Sequence, residues 1–156
     1  MEIIKPPKFY KGNKIKIFLA GGITNCGNWQ DKVIKALADY DVVIFNPRRD
    51  SFDITNKSET ERQIEWEFNA LNQCDIFTMY FCGGESLQPI CMYELGRNIL
   101  YQQKQYAHWQ DKIVISAEKS YKRFDDVVIQ TRLATNNLVT VNTSLEEHIN
   151  KIIEKI

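Results

Sequence analysis

Apolar positions along the chain fall into two kinds of run. "KIKIFLAGG" (14–22), "DVVIFNP" (41–47), "DIFTMYF" (75–81) and "KIVISA" (112–117) are short and nearly continuous, and "LVTV" (138–141) is a shorter fifth. Such runs, bounded by Gly, Pro or charged residues, are the form expected of buried strands. Between them the apolar residues space out to a helical period. In 28–40, Val33, Ile34, Leu37 and Ala38 share one face. Residues 58–74 predict a helix opened by Ser58, with Glu61 completing a capping box three residues on. Residues 89–103 start a helix near Pro89, a residue favoured in the first turn. Residues 123–135 and 144–156 complete the set, the last capped by Ser144. Strand and helix alternate throughout, which predicts an α/β fold with one parallel sheet and helices on both faces. The simplest right-handed solution is a flavodoxin-like, five-stranded sheet in the order 2-1-3-4-5. The chain reads as a single domain, 1–156, with residues 1–13 as an N-terminal extension outside the pattern.

That topology says where to look for chemistry. Ligands of open α/β sheets bind beyond the carboxyl ends of the strands, at the switch point, which here lies between the first and third strands. Three segments meet there: "AGGITNCGNWQ", "NPRRDSFD" and "FCGGESLQPICMYELG". Gly21 and Gly22 either make a tight turn or let backbone approach a ligand. Arg48 and Arg49 are either solvated loop charges or a bidentate anion clamp. Trp29 and Tyr93 either pack or stack on a planar base, and Asn28 and Gln30 either open a helix or read base edges. The 47–57 loop is long enough to be functional. No G-x-G-x-x-G and no P-loop signature is present, so the sequence does not announce a dinucleotide or triphosphate site.

Two carboxylates stand out. Glu94 lies early in the helix that follows the third strand. A helix N-terminus favours a charged carboxylate by roughly 0.3–1 kcal/mol, which alone would account for it and would keep it ionised. Glu67 falls among Ile64, Trp66, Phe68 and Leu71 on the preceding helix, a setting that shields it partly from water. Glu59, Glu61, Arg62 and Glu65 on that helix are expected to face solvent. Two carboxyl groups in one cleft push their pKa values apart, so one serves as nucleophile and the other as proton donor.

Composition narrows the partners. Lys plus Arg and Asp plus Glu each number 20, which argues against nucleic acid or an anionic membrane bound through bulk charge. No apolar run approaches the ~20 residues of a membrane span, and "MEIIKPPKFYKGNK" lacks a signal-peptide core. The four cysteines contain no C-x-x-C pair and the two histidines are far apart, so no metal site is expected. Cys74, Cys82 and Cys91 sit in or beside apolar segments and read as free thiols of a cytoplasmic protein.

The segments "IFLAGGI…NWQ", "FNPRRD", "QIEWEFNALNQCDIF" and "SLQPICMYELGRNI", in this order over about residues 15–117, resemble the nucleoside 2-deoxyribosyltransferase-like family. The resemblance implies a flavodoxin-like fold without metal or redox cofactor. It implies cleavage of the N-glycosidic bond of a 2-deoxynucleoside or its 5-monophosphate. Glu94 corresponds to the nucleophile, which forms a deoxyribosyl ester that a second base or water resolves. The better-studied branch carries an Asp as the acid on the helix before the third strand; the nearest residue here is Glu67. That branch also has an Asp in the sugar loop, where this chain has Gln88 and no Asp. Gly21, Gly22, Asn28, Trp29, Gln30, Asn46, Arg48, Arg49, Asp50, Gln88 and Tyr93 are the substrate contacts expected around the pair. The two arginines favour an anionic ligand. Relatives whose pockets are closed by a neighbouring subunit imply a homo-oligomer. Two other readings stay open: a non-catalytic nucleotide-binding module on the same fold, and a glycohydrolase of a larger nucleotide such as NAD.

Overall fold

The structure, a computed structural model, describes residues 1–51 and 55–156. Six parallel strands form one sheet: β1 (Glu2–Ile4), β2 (Ile15–Gly21), β3 (Val42–Phe45), β4 (Ile76–Phe81), β5 (Ile113–Ala117) and β6 (Val141–Asn142). Their order is β1-β3-β2-β4-β5-β6. The last five reproduce the expected 2-1-3-4-5 arrangement. The segment read as an N-terminal extension adds β1 at the edge, where Ile4 pairs with Phe45 and the Ile4 carbonyl accepts from the Asn46 N–H. Three residues ahead of Lys-Pro-Pro are too few to show a strand period. The fifth predicted strand also shifts. It is Val141–Asn142 rather than 138–141, because Leu138 is exposed and Val139 packs into the core before pairing begins.

The sheet splits the core by residue parity. Along β2, Ile17 and Leu19 enter one cluster with Trp29, Val33 and Ile152, under α1 (Trp29–Ala36) and α5 (Leu145–Ile153). Phe18 and Ala20 enter the other, with Trp66, Leu95 and Val127, under α2 (Lys57–Gln73), α3 (Pro89–Gln105) and α4 (Phe124–Ala134). Period-2 alternation within a continuous apolar run is what two covered faces require.

Helix starts follow the local chemistry with one change. Ser144 caps α5: its hydroxyl accepts from the Glu147 N–H, and Glu147 reaches back to the Ser144 N–H. At α2 the expected Ser58–Glu61 box is replaced by Asn56, whose side chain accepts from the N–H groups of Ser58 and Glu59. The helix begins one residue earlier, so Ser58 lies inside it. Replacing Ser144 with Ala is expected to cost about 1 kcal/mol, and thermal unfolding should then begin a few degrees lower.

Candidate active site

The carboxyl ends of β2, β3 and β4 surround a cavity of about 240 Å³. Its wall includes Gly21 at the end of β2 and Gly22 after it, Pro47 after β3, Glu67 on α2, and Gln88, Cys91 and Glu94 at or near the start of α3. The predicted switch point thus holds a concavity with two carboxyl groups in it. Glu67 is half-buried and accepts a hydrogen bond from the Gln63 side-chain amide at 2.8 Å. Gln63 is itself held by the Pro47 carbonyl at 3.0 Å. Trp66 and Leu71 are buried in the core, while Ile64 and Phe68, expected to help shield Glu67, are exposed. Burial raises the Glu67 pKa and the Gln63 hydrogen bond pulls it partly back.

Glu94 is also half-buried. Burial and then the Glu67 charge push its carboxyl up to about 7, against a smaller downward pull from Arg97. This differs from the sequence expectation of a carboxylate kept ionised by the helix terminus. Glu94 sits beyond the first turn of α3, past the unsatisfied N–H groups that generate the terminal field. Desolvation therefore outweighs the dipole. The neighbouring Cys91 thiol, also on the wall, is pushed up to about 12 by burial and the nearby Glu94 and Glu67 charges, so it stays protonated.

The two glycines have steric reasons. Gly21 has φ +148, and a Cβ there would lie 2.2 Å from the Tyr80 carbonyl oxygen. A Cβ on Gly22 would lie 2.3 Å from Cys26 Sγ and 2.5 Å from Gln88 Oε1. Their hydrogen-only surfaces let β2 and its loop close against β4 while forming the cavity wall.

Other residues expected at the ligand are placed differently. Trp29 is buried; its indole N–H donates to the Gly22 carbonyl at 2.9 Å and its ring packs on Tyr80. Gln30 is fully buried and its side-chain carbonyl accepts from Arg48 Nε at 3.0 Å. Arg48 also donates to the carbonyls of Ile23, Cys26 and Gly27, at 3.2, 3.3 and 3.2 Å. Asn28 caps α1 by accepting from the Asp31 N–H, and Asn46 accepts from the Arg48 N–H. Arg49 pairs with Glu59 at 3.6 Å, and Asp50 pairs with Lys5 at 2.8 Å. Arg48, Arg49, Asn46 and Asp50 border a different cavity, beside β1. Tyr93 points outward, 71% exposed, one residue from the inward Glu94. Part of the 47–57 loop, residues 52–54, lies outside the described residues. The geometry around Arg48 makes it a brace for the first loop. Arg48→Ala is expected to destabilise the protein by about 1–3 kcal/mol by stranding these acceptors, read as a lower urea midpoint at unchanged slope.

Sequence reasoning missed a covalent tie. Cys26 in the first loop and Cys82 after β4 form a disulfide, with Cα atoms 6.1 Å apart. Cys82 is therefore not the expected free thiol; Cys74 and Cys91 are free and buried. The argument for a reducing compartment from cysteine usage falls with this pairing. The available signal was topological: both cysteines follow strands that become neighbours, at the same edge. Glu118, directly after β5, was missed too. It accepts from the Tyr80 hydroxyl at 2.6 Å and the Gly83 N–H at 2.9 Å, joining the ends of β4 and β5.

A family model described as nucleoside 2-deoxyribosyltransferase like matches residues 14–121. The chain belongs to that family. No curated protein matches it. The matched span of this nucleoside 2-deoxyribosyltransferase-like chain runs from the residue before β2 to four residues past β5, and so contains both carboxylates. Membership points to nucleoside binding and to deoxyribosyltransferase-like chemistry. No helix among the described residues is long and apolar enough to cross a membrane, and no metal-binding cluster of His, Cys, Asp or Glu occurs among them.

Proposed function

We propose that this protein cleaves the N-glycosidic bond of a 2-deoxynucleoside or deoxynucleoside 5-monophosphate and passes the deoxyribosyl group to a second base or to water. The observation that carries this is the pair of half-buried carboxyl groups, Glu94 and Glu67, on the wall of one cavity at the sheet's switch point. A Glu94 oxygen attacks the anomeric carbon as the bond to the base nitrogen breaks. The base takes a proton from Glu67, and a deoxyribosyl ester remains on Glu94. An incoming base or water then attacks the same carbon, returns a proton to Glu67 and frees Glu94. Glu94 must be ionised and Glu67 protonated. One proton shared by two repelling carboxyls supplies that form, and positive charge developing on the sugar draws the negative charge to Glu94.

The reading includes a homo-oligomer. Ile64 and Phe68 on α2 and Ile90 and Tyr93 on α3 are large, apolar and exposed, Ile90 on the cavity wall itself, and a neighbouring copy would cover them. The decisive experiment is a base-release assay across the deoxynucleosides and their 5-monophosphates, with and without an acceptor base. Release of free base, or exchange onto the acceptor, supports the proposal; binding without either overturns it in favour of a non-catalytic module.

A further inference from the structure

Glu67 does not hold its position alone. Gln63 lies about one helical turn before it on α2, on the same face. The Gln63 Nε2 group donates to Glu67 Oε1 at 2.8 Å and to the Pro47 carbonyl at 3.0 Å. The Pro47 carbonyl can only accept, so a flipped amide would set two carbonyl oxygens against one another. The amide therefore meets Glu67 with its N–H whether that carboxyl is charged or neutral. The arrangement has a cost, because Gln63 Oε1 is left buried without a partner.

A donor held against one carboxylate oxygen leaves the other for the proton. Glu67 Oε1 faces the Gln63 N–H, and Oε2 takes no hydrogen bond from the described residues. The same bond strengthens as the proton departs, because an N–H binds a charged carboxylate more strongly than a neutral acid. Burial raises the Glu67 pKa and the Gln63 bond lowers it. Gln63 thus makes Glu67 a stronger acid than burial alone would leave it. The other titratable groups on the cavity wall are Glu94 and Cys91, both on α3, and Arg97 of that helix acts on Glu94. Among the described residues the strand-end segments add no charged group to the wall.

We infer that Gln63 is a positioning residue for Glu67: braced on the Pro47 carbonyl, its amide N–H confines the acid proton to Oε2 and stabilises the carboxylate left when that proton has gone. The Glu67 O–H bond breaks, an N–H bond forms on the departing base, and the electron pair stays on the carboxylate facing Gln63. The role rests on the glycosidic-cleavage reading, in which Glu67 is the donor.

Gln63→Met keeps the reach of the side chain and removes the donor. With a common deoxynucleoside that the parent cleaves, kcat for base release is expected to fall about 10–100-fold, the scale of a lost hydrogen bond to a charged group, while KM changes little. With 7-methyldeoxyguanosine, whose cationic base leaves without taking a proton, kcat should stay close to that of the parent. Lacking the N–H, the Glu67 carboxyl holds its proton to higher pH, so the alkaline limb of kcat/KM should move up by about one pH unit. Gln63→Lys restores a donor, now charged, at similar reach, and should move the limb down instead. A merely structural role would slow both substrates alike and leave the limb in place in both variants, and that result overturns the inference. Should neither variant fold, the parent decides. Its Gln63 side-chain amide, labelled with nitrogen-15 and followed by NMR, is expected to shift with the ionisation that sets the alkaline limb; an amide blind to that ionisation sinks the role. An active parent with an unmoved limb in the variants overturns the role of Gln63 alone. A parent that releases no base overturns the glycosidic reading and this role with it.

Discussion

Glu94→Gln is expected to lower base release by on the order of 10⁴-fold or more, the scale seen when a covalent nucleophile is removed. The far-ultraviolet spectrum and the unfolding midpoint should stay close to those of the parent. The side chain is half-buried, and in the native state it carries a charge that burial and Glu67 both oppose. Replacing a carboxyl whose folded pKa is raised removes a source of instability above neutral pH, so the variant should be as stable or more stable at pH 8. If Glu94 were only a helix-terminus charge, the pattern would invert: stability would fall slightly and activity would persist. A slowly cleaved 2-fluoro-deoxynucleoside gives an independent check. Mass spectrometry should find its sugar on the peptide containing Glu94, and a label on Glu67 would reassign the nucleophile.

Glu67→Gln should act in two ways that pH separates. Loss of the proton donor is expected to slow release of a poor leaving base by about 10²–10⁴-fold. A base that leaves without protonation should suffer much less. The alkaline limb of the kcat/KM profile should also change. In the parent the pair works with one shared proton, and that proton leaves at about 7, where burial and then the Glu67 charge hold the Glu94 carboxyl. Activity should therefore fall by up to about tenfold per pH unit above that point. Glu67→Gln has no proton to lose at this position, so its residual activity should level off at high pH once Glu94 is ionised. An alkaline limb retained in the variant would mean that Glu67 is not the donor.

The sheet order was legible because β2 to β6 are separated by helical segments, and right-handed crossovers leave few ways to thread such a chain. β1 was not legible, since Glu2–Ile4 becomes a strand only when β3 offers it an edge. The same distinction runs through the site. Glu94, Gly21, Gly22 and Gln88 were located by strand ends and helix starts, which sequence periodicity marks, and Glu67 by its apolar neighbours within a helix; all five share one cavity. Arg48 carries the same signal of a charge after a strand. Its role is decided by the curl of the 22–28 loop, whose carbonyls converge on the guanidinium. No pattern in "GITNCGN" encodes that convergence. Tyr93 and Glu94 are adjacent in sequence but turned about 100° apart on a helix, so naming the segment could not tell which of them faces the cavity. The ionisation of Glu94 was misjudged for a related reason: the dipole can be read from position in a helix, whereas desolvation depends on neighbours from other elements.

The Cys26–Cys82 bond joins the Gly22 loop to the residue whose carbonyl anchors Gln88. Two walls of the cavity are thereby one covalent piece. A dithiol added to a preparation would convert the bond to two thiols, itself becoming the disulfide, and would leave those walls joined only by hydrogen bonds. Protein kept with dithiothreitol and protein kept without it are then two chemical species, whose substrate affinities need not agree. Stocks intended for comparison should be matched in redox history as carefully as in pH.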